Sequence, residues 1–283
     1  MQNLNKIFIK GSRTYFYSSL FFPKTIRNDV AILYAFVRTL DDYVDVLPQQ
    51  KDLFEQMVGW YYDARSGKTI ENQIISSFVQ LMNLRNFDPI WVDAFIESMR
   101  MDLRSTNYHS LAQLEEYIHG SAEVIGLFMS AILGLSPDAH ITAMRLGKAM
   151  QYINFIRDIR EDNSLGRTYF PKEHLDLFGL ESLTLSETKA NRNQFVDFIH
   201  YELQLYSKWQ KQAEKGFSYL PKRYLIPVKT ASDMYKWTAN QIEKNPFILY
   251  EKKVRPTIQR ILFGVIENTV MIPNQTKHLA KSN

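Results

Sequence analysis

Apolar side chains recur with the period of an α-helix along most of this chain, and this pattern limits the fold more than any other feature. No segment of comparable length alternates between apolar and polar residues as a half-buried β-strand does. Glycine and proline number 11 and 10 among 283 residues, so tight turns are few and the helices should be long. The pattern predicts an all-α fold.

Prolines and polar caps place the predicted helices. Pro23 should open a helix that runs to about residue 46, and Ser136-Pro137-Asp138 has the form of a helix start, for a helix that runs to about residue 162. The segment from Ser12 to Pro23 is aromatic and irregular. Further helices are predicted over 51–64, 72–84, 89–104, 110–134, 191–217, 228–244 and 254–270. No repeat or Gly/Ser linker divides the chain, so residues 1–283 should form one domain, with a core over about 12–271.

Composition excludes several classes of site and partner. The chain has no cysteine, which removes disulfides, thiolate nucleophiles and iron–sulfur clusters. Its net charge of +4 suits an anionic ligand or membrane surface and is too small to indicate a nucleic-acid partner. The N-terminal residues lack the apolar core of a signal peptide. The longest apolar run, Val124 to Leu135, is shorter than the ~18 residues of a spanning helix. We therefore expect a cytoplasmic protein that can associate peripherally with a membrane.

The first candidate site is a pair of carboxylates at the end of an apolar helix. Tyr34, Arg38, Asp41 and Asp45 fall within about 60° of each other on a helix surface, because each residue turns the chain by about 100°. The two aspartates stand one above the other, at positions i and i+4. Like charges at this spacing destabilise a helix by a few tenths of a kcal/mol unless a cation lies between them.

A second helix carries the same arrangement. Gln151, Asn154, Asp158 and Asp162 share one face of the helix predicted after Ser136. Oxygen ligands without cysteine select Mg²⁺, with Mn²⁺ as a second candidate. The simplest alternative, a solvated acidic face, fits less well, because an apolar stripe leads to the acids on both helices.

Arginines close to both acidic pairs indicate a phosphate ligand. Arg38, Arg157 and Arg167 carry planar guanidinium groups that can bind phosphate oxygens in pairs. The two helices together predict a site for a metal ion and an anionic phosphate compound.

At these residues the chain resembles the phytoene/squalene synthase family, from about Ser12 to about Arg255. The segment DDYVD (41–45) is similar to the first aspartate-rich motif of that family. The segment QYINFIRDIREDNSLGRTYFP (151–171) is similar to its second motif and the loop that follows. Residues 101–103 with Tyr108, and YIHGSAEVIGLFM (117–129), match the helix pair between the motifs. Within the family the chain most resembles microbial phytoene synthases.

The resemblance implies a single-domain isoprenoid-synthase helical bundle in which the two motifs face each other across a central cavity. The implied metal ligands are Asp41, Asp45, Asn154, Asp158 and Asp162. The implied diphosphate contacts are Ser12, Arg13, Arg38, Arg157 and Arg167. The residues implied at the reacting centre are Tyr15, Tyr34, Gln151 and Tyr169, with Tyr117 as a further cavity tyrosine.

The same resemblance implies a Mg²⁺-dependent, head-to-head condensation in carotenoid biosynthesis. Two geranylgeranyl diphosphates would give phytoene through a cyclopropyl intermediate, prephytoene diphosphate. Ala31 and Ser19 are small and are expected to line the tunnel, which favours a C20 over a C15 chain. No Gly-rich dinucleotide motif follows a strand, so NADPH is not expected. The alternative is a C30 synthase that makes squalene or dehydrosqualene from farnesyl diphosphate.

The chain departs from the family pattern at two places. Ser121-Ala122-Glu123 stands where many members have a small-residue VAG stretch, and Pro246 stands where many have a cavity tyrosine after an asparagine.

An apolar product also predicts transient contact with a membrane surface, in which the basic tail 277–281 would take part. The sequence does not indicate an oligomeric state.

Three alternatives from other classes remain open. A ferritin-like di-metal bundle would need two Glu-x-x-His pairs, and the chain offers Glu116 to His119 and only Asp197 to His200. A non-catalytic protein that binds isoprenoid diphosphates, or acts in assembly, would be expected to lose the motif aspartates. A terpene cyclase or chain-elongating prenyltransferase shares the chemistry, but the second motif fits the head-to-head branch better.

Overall fold

A computed structural model describes residues 7–9, 13–104 and 107–272, and most of these residues are helical. They contain no β-strand, and Asn107 and Thr168 form an isolated bridge. The prediction of an all-α fold is therefore confirmed. The helices are α1 (Arg13–Ser19), α2 (Lys24–Asp45), α3 (Lys51–Arg65), α4 (Gln73–Arg85), α5 (Pro89–Arg104), α6 (Leu111–Ile118), α7 (Val124–Ile132), α8 (His140–Ser164), α9 (Lys172–Leu177), α10 (Leu185–Ala190), α11 (Arg192–Glu214), α12 (Lys222–Lys244), α13 (Ile248–Glu251) and α14 (Ile258–Met271).

Most predicted boundaries agree with the structure to within a few residues, and three differ for identifiable reasons. The segment after Ser12, predicted to be irregular, forms α1, because its aromatic residues pack on α12 and α14. The helix predicted over 110–134 is divided by a π-helical segment, His119–Glu123. Helix α12 begins at Lys222 and contains Pro227, which the sequence pattern had placed before the helix. Pro221, at the N-cap of α12, is the proline that marks its start.

Helix α8 lies at the centre of the fold. It packs against α7, α11, α12 and the π-helical segment, and it separates two groups of core side chains. The first group joins α2, α3, α4, α5 and α7, and at its centre the rings of Phe36 and Phe78 stack 3.7 Å apart. The second group joins α8, α11 and α12. The acidic faces of α2 and α8 can therefore meet across the space between the two groups.

Glycines allow the central helices to approach each other closely. A Cβ atom on Gly126 would overlap the carbonyl of Ala143, and one on Gly147 would overlap the carbonyl of Ala122. Both contacts are with backbone atoms, which cannot rotate away as a side chain can. The crossing of α7 and the π-helical segment over α8 therefore requires these two glycines.

We expect Gly147→Ala to lower the free energy of unfolding by about 1–3 kcal/mol, because the backbones must separate to accept the new methyl group. Gly59→Ala is the matched control. Gly59 also lies inside a helix, but an added Cβ there meets no atom within 4 Å. Alanine at position 59 should stabilise α3 by about 0.5–1 kcal/mol. Urea unfolding of both variants measures the difference, and equal stability of the two would contradict the close crossing.

No helix among the described residues combines the length and the apolar character that a membrane span requires. The tail 277–281, which the sequence pattern assigns to membrane contact, lies outside the described residues.

Candidate active site

A cavity of about 300 Å³ opens between α1, α2, α7, α8 and the start of α12. Its wall on α8 is a single stripe, because the lining residues are spaced three and four apart. The stripe consists of Thr142, Ala143, Leu146, Gly147, Met150, Gln151 and Asn154. Apart from Thr142, it is apolar or small up to Met150 and polar at Gln151 and Asn154. The cavity is therefore apolar in its depth and polar at one end.

The first acidic motif lies on α2 and is held by two arginines. Arg38 donates to Asp41 over 2.8 Å and lies 2.5 Å from a carboxylate oxygen of Asp42. Arg167, which follows α8, binds Asp45 and the backbone carbonyl of Val44. The Arg167 side chain is almost fully buried, whereas that of Asp45 is 36% exposed, so solvent partly screens this ion pair.

The second acidic motif lies at the end of α8. The guanidinium of Arg157 binds Asp158 with two hydrogen bonds of 2.8 and 2.5 Å. Lys253 lies 3.0 Å from the same carboxylate. Burial opposes the ionisation of Asp158, but the bonds and charges of Arg157 and Lys253 outweigh it and lower the pKa of Asp158. Asp158 is therefore ionised at neutral pH.

The two motifs are close enough for their charges to interact. Burial raises the pKa of Asp162 to about 8, and the charges of Asp158 and Asp45 add to the rise, although Asp45 lies on α2. Burial and Asp45 likewise raise the pKa of Asp41. Within the part of the chain that the structure describes, no three acidic or histidine side chains converge as a closed metal cage. The arrangement suits an ion that takes one or two carboxylates from each helix and its other ligands from water and substrate.

An additional buried carboxylate, Asp102 on α5, lies beside the acidic motifs. Tyr117 donates to one of its oxygens over 2.8 Å and Tyr169 to the other over 3.3 Å. The resemblance placed both tyrosines at the cavity, but neither belongs to its lining. Buried hydroxyl groups need an acceptor, and Asp102 draws both of them to its own side of the site.

Other predicted residues do line the cavity. Tyr15, Tyr34, Gln151, Asn154 and Ser19 all belong to its wall. The Oδ1 atom of Asn154 is buried without a hydrogen-bond partner, so it remains available to a ligand.

Ala31, predicted to line a tunnel, is not among the residues that line this cavity. The wall residues on α2 are Val30, Leu33, Tyr34 and Val37, so the face that meets the cavity is rotated away from Ala31, which is buried in the core. The position of Ala31 therefore gives no support to the tunnel argument.

Two further predictions fall at the edge of what the structure describes. Ser12 lies outside the described residues. Arg13 begins α1, and only its backbone is described.

The departures from the family pattern have clear local partners. Glu123 accepts a 3.0 Å contact from His119 and lies 3.9 Å from the buried Lys148. His119 begins the π-helical segment and contacts Glu123 at its other end. No cluster of metal-binding side chains occurs there among the described residues, so the ferritin-like alternative has no support. Tyr250, the tyrosine nearest to Pro246, donates to the backbone carbonyl of Leu183 and is turned away from the cavity.

Sequence reasoning missed three residues of the site: Asp102, Lys253 and Tyr235. Tyr235 on α12 is buried, and its ring centroid lies 5.8 Å from that of Tyr15. A sequence signal was available for two of them. Asp102 lies in the segment 101–103 and Lys253 in the segment 245–255, both of which resemble the family, but neither segment indicated that a charged group points into the site.

Asp102 should make stability depend on pH. Burial raises the pKa of Asp102 to about 7, above the value near 4 of an exposed aspartate. Its contribution to the free energy of unfolding therefore falls as the pH rises from about 4 to 7. Asp102→Asn cannot ionise and escapes this loss. The stability of the variant relative to the wild type should therefore rise over this range by about 2–4 kcal/mol. Urea unfolding at pH 5 and pH 8 without metal measures the change, and a pH-independent difference would contradict it.

Together, the fold and the site define a class of protein. It is an all-α bundle in which two acidic helices, with their arginines and a lysine, stand at the polar end of an apolar cavity. Residues 9–261 match the model of the squalene/phytoene synthase family. The chain belongs to this family, whose members are prenyltransferases that join isoprenyl diphosphates head to head.

Individual relatives agree with this assignment. The chain is 26% identical to the 15-cis-phytoene synthase of Synechocystis sp. over 89% of its own length and 79% of the relative. It is 26% identical to the 15-cis-phytoene synthase of Pantoea ananas, over 83% and 79% of the two chains. It is 25% identical to a chloroplastic phytoene synthase of an Oncidium hybrid cultivar, over 90% of its own length but 64% of that protein.

Solved structures show the same fold. A dehydrosqualene synthase crystallised with a ligand superposes with a TM-score of 0.83 at 21% identity, over 95% of both chains. Squalene synthase HpnC from Alicyclobacillus acidocaldarius superposes with a TM-score of 0.74 at 21% identity, over 87% of this chain and 94% of its own.

Proposed function

We propose that this protein condenses two molecules of geranylgeranyl diphosphate head to head into phytoene, through prephytoene diphosphate, as a step of carotenoid biosynthesis. The observation that carries this proposal is the position of the two acidic helices at the polar end of a long apolar cavity. A diphosphate can bind there to ions and cationic side chains while its hydrocarbon chain occupies the cavity. Relatives named as phytoene synthases support the same reaction.

The length of the cavity wall supports a C20 substrate. From Asn154 at the polar end, the stripe on α8 extends to Thr142, about 18 Å along the helix axis, and Ala139 extends it to about 22 Å. An extended isoprene unit spans four carbon–carbon bonds, about 5 Å. Three units thus need about 15 Å and four need about 20 Å. The wall is long enough for four units.

The residues present fit a Mg²⁺ ion. The donors are hard oxygens, and the Oδ1 atom of Asn154 has no partner. Burial, and after it the charges of neighbouring aspartates, raises the pKa of Asp41 and of Asp162. The residues that would hold the ion are Asp41, Asp45, Asn154, Asp158 and Asp162. Mg²⁺, when bound, supplies positive charge that neutralises the diphosphate and favours its departure.

The cationic side chains would exchange partners when substrate binds. Arg38, Arg157, Arg167 and Lys253 are paired with the motif carboxylates in the structure. Once cations neutralise those carboxylates, the same groups can turn to diphosphate oxygens, which accept paired hydrogen bonds from a guanidinium. The motif arginines therefore act as binding groups and as charge partners for the departing diphosphate.

The cavity wall would protect the reactive carbon chain. Tyr34 lies at the wall beside Arg38, and the ring of Phe8 stacks on it at 4.4 Å. Aromatic faces stabilise a nearby cation by ~0.5–2 kcal/mol, and the apolar wall keeps water away from it. An allylic cation formed here would meet the double bond of the second substrate rather than water.

The test is a product analysis. Purified protein is incubated with Mg²⁺ and geranylgeranyl diphosphate, and separately with farnesyl diphosphate, each with and without NADPH. A C40 hydrocarbon formed without NADPH supports the proposal. A C30 product would identify the alternative, a squalene or dehydrosqualene synthase, and its dependence on NADPH would distinguish the two. Absence of hydrocarbon from either substrate would contradict the proposal.

A further inference from the structure

The outward face of α14 is apolar at its centre, the reverse of what a surface helix normally shows. Phe263, Ile266 and Val270 are spaced three and four residues apart, so they share this face. Their side chains are 65%, 62% and 79% exposed. The exposed Leu262 and Met271 flank them. We refer to these five side chains as the α14 apolar face.

Contacts on the opposite side fix α14 in this orientation. Asn268 donates to Thr230 over 3.2 Å and to Asp233 over 3.0 Å, both on α12. Nearer the N-terminal end of α14, the guanidinium of Arg260 lies 5.0 Å from the ring of Trp237 on α12. Helix α14 thus runs antiparallel to α12 and is anchored by buried polar bonds, so the α14 apolar face cannot turn inward without breaking them.

More exposed apolar and basic groups lie at the C-terminal end of α14. This end approaches the start of α12, where the ring of Tyr224 lies 6.3 Å from that of Phe22. The exposed Leu20 and Phe21 immediately precede Phe22. Lys24 and Arg223 are exposed at the same end.

Charge indicates what covers this surface. Glu267 is the one acidic residue on α14 itself. The exposed apolar and aromatic side chains, with Lys24 and Arg223 at one end of them, match a bilayer with anionic headgroups.

A second copy of the chain fits less well. Stable protein interfaces use roughly 20–30 residues on each side. The α14 apolar face, with Leu20 and Phe21, supplies seven large apolar side chains on a convex helix surface.

We propose that the α14 apolar face docks on the surface of an anionic lipid bilayer. The cavity supplies a reason for docking at this place. Its wall includes Ser19 and Phe22, at and just after the end of α1, and Leu220 and Val228, just before and within the start of α12. An apolar product that left between these two elements would emerge beside the bilayer. This route for the product rests on the proposed function, whereas the docking of the α14 apolar face does not.

The test measures binding to vesicles of phosphatidylcholine with and without phosphatidylglycerol, by flotation of the full chain. The wild type should bind, more tightly when phosphatidylglycerol is present. Phe263→Gln with Ile266→Gln should weaken binding on the order of tenfold or more, since two apolar side chains no longer enter the bilayer. The matched control is Leu84→Gln with Ile90→Gln, whose side chains are 69% and 70% exposed on α4 and α5 and lie outside the α14 apolar face. The control should bind as the wild type does.

Further measurements separate charge, folding and self-association. Lys24→Gln with Arg223→Gln should lower binding to the anionic vesicles alone, and this difference should vanish in high salt. The Phe263/Ile266 variant should keep the wild-type unfolding midpoint and its product formation in detergent solution, because neither residue lines the cavity. Failure of the wild type to bind either vesicle, or equal binding by the Phe263/Ile266 and Leu84/Ile90 variants, would overturn the proposal. A dimer in sedimentation that the Phe263/Ile266 variant dissociates would assign the face to a second copy instead and would also overturn it.

Discussion

Asp158→Asn should lower the rate of hydrocarbon formation by about 10³-fold or more, with little change in the folded structure. Asp158 is an ionised carboxylate between Arg157 and Lys253. The amide has the same shape but no charge, so it removes a proposed metal ligand and leaves two cations without their partner. The expected loss arises in the step that expels the diphosphate, where charge develops.

The measurement is the rate of product formation from geranylgeranyl diphosphate over a range of Mg²⁺ concentrations. Asp138→Asn is the control, since it removes the same charge from an exposed residue just before the same helix. The control should retain wild-type activity. A loss of less than tenfold in Asp158→Asn would contradict the role given to this residue.

A second variant at the same position, Asp158→Ala, distinguishes an enzyme from a binding protein. In an isoprenoid-binding protein without catalysis, the wild type would make no hydrocarbon. If Asp158→Ala also bound Mg²⁺ and geranylgeranyl diphosphate as the wild type does, the role proposed for Asp158 as a metal ligand would be contradicted. Calorimetric titration of both proteins gives this comparison directly.

Ala143→Phe should change the size of the product. Ala143 lies on the cavity stripe, about 16 Å along α8 from Asn154. A benzyl group there leaves room for the three units of a C15 chain but blocks the fourth unit of a C20 chain. We expect the ratio of C40 to C30 product to fall by about tenfold or more, since an overpacked cavity costs about 1–3 kcal/mol.

Competition between equal amounts of geranylgeranyl and farnesyl diphosphate, followed by mass analysis of the hydrocarbon, measures this ratio. Ala143→Ser is the matched control, because it changes polarity at the same position with almost no change in size. An unchanged C40 product from Ala143→Phe would show that the substrate chain does not follow the stripe on α8. Loss of both products would be checked against unfolding, because the backbone of Ala143 packs tightly on Gly126.

The local pattern of the chain was sufficient to predict the site helices. Pro23 and the apolar period placed α2 within one residue of its observed ends, and the second motif fell on one face of α8 as expected. These features depend on neighbours three and four residues apart, which a sequence displays directly. The π-helical segment could not be read in this way, because its position depends on close contact of Gly120 and Ala122 with α5 and α8.

Side-chain roles that depend on distant partners were harder to predict. The sequence indicated that Tyr117 and Tyr169 were site residues, but it did not reveal that Asp102 binds both hydroxyls. It also did not indicate that Lys253, 95 residues beyond Asp158, completes the charge balance of the second motif. The partners in each of these pairs lie on different elements of the chain, so only the packing decides which groups meet.

The sequence by itself determined that this protein is all-α, that two of its helices carry paired carboxylates, and which family it resembles. The tertiary structure decided which face of α2 meets the cavity, and it replaced Ala31 by Val30 and Leu33 at the wall. A shift of one residue turns a helix by about 100°, so a small error in orientation exchanges a core residue for a lining residue. That rotation is set by the packing of α2 against α4, α5 and α7, which no stretch of the sequence contains on its own.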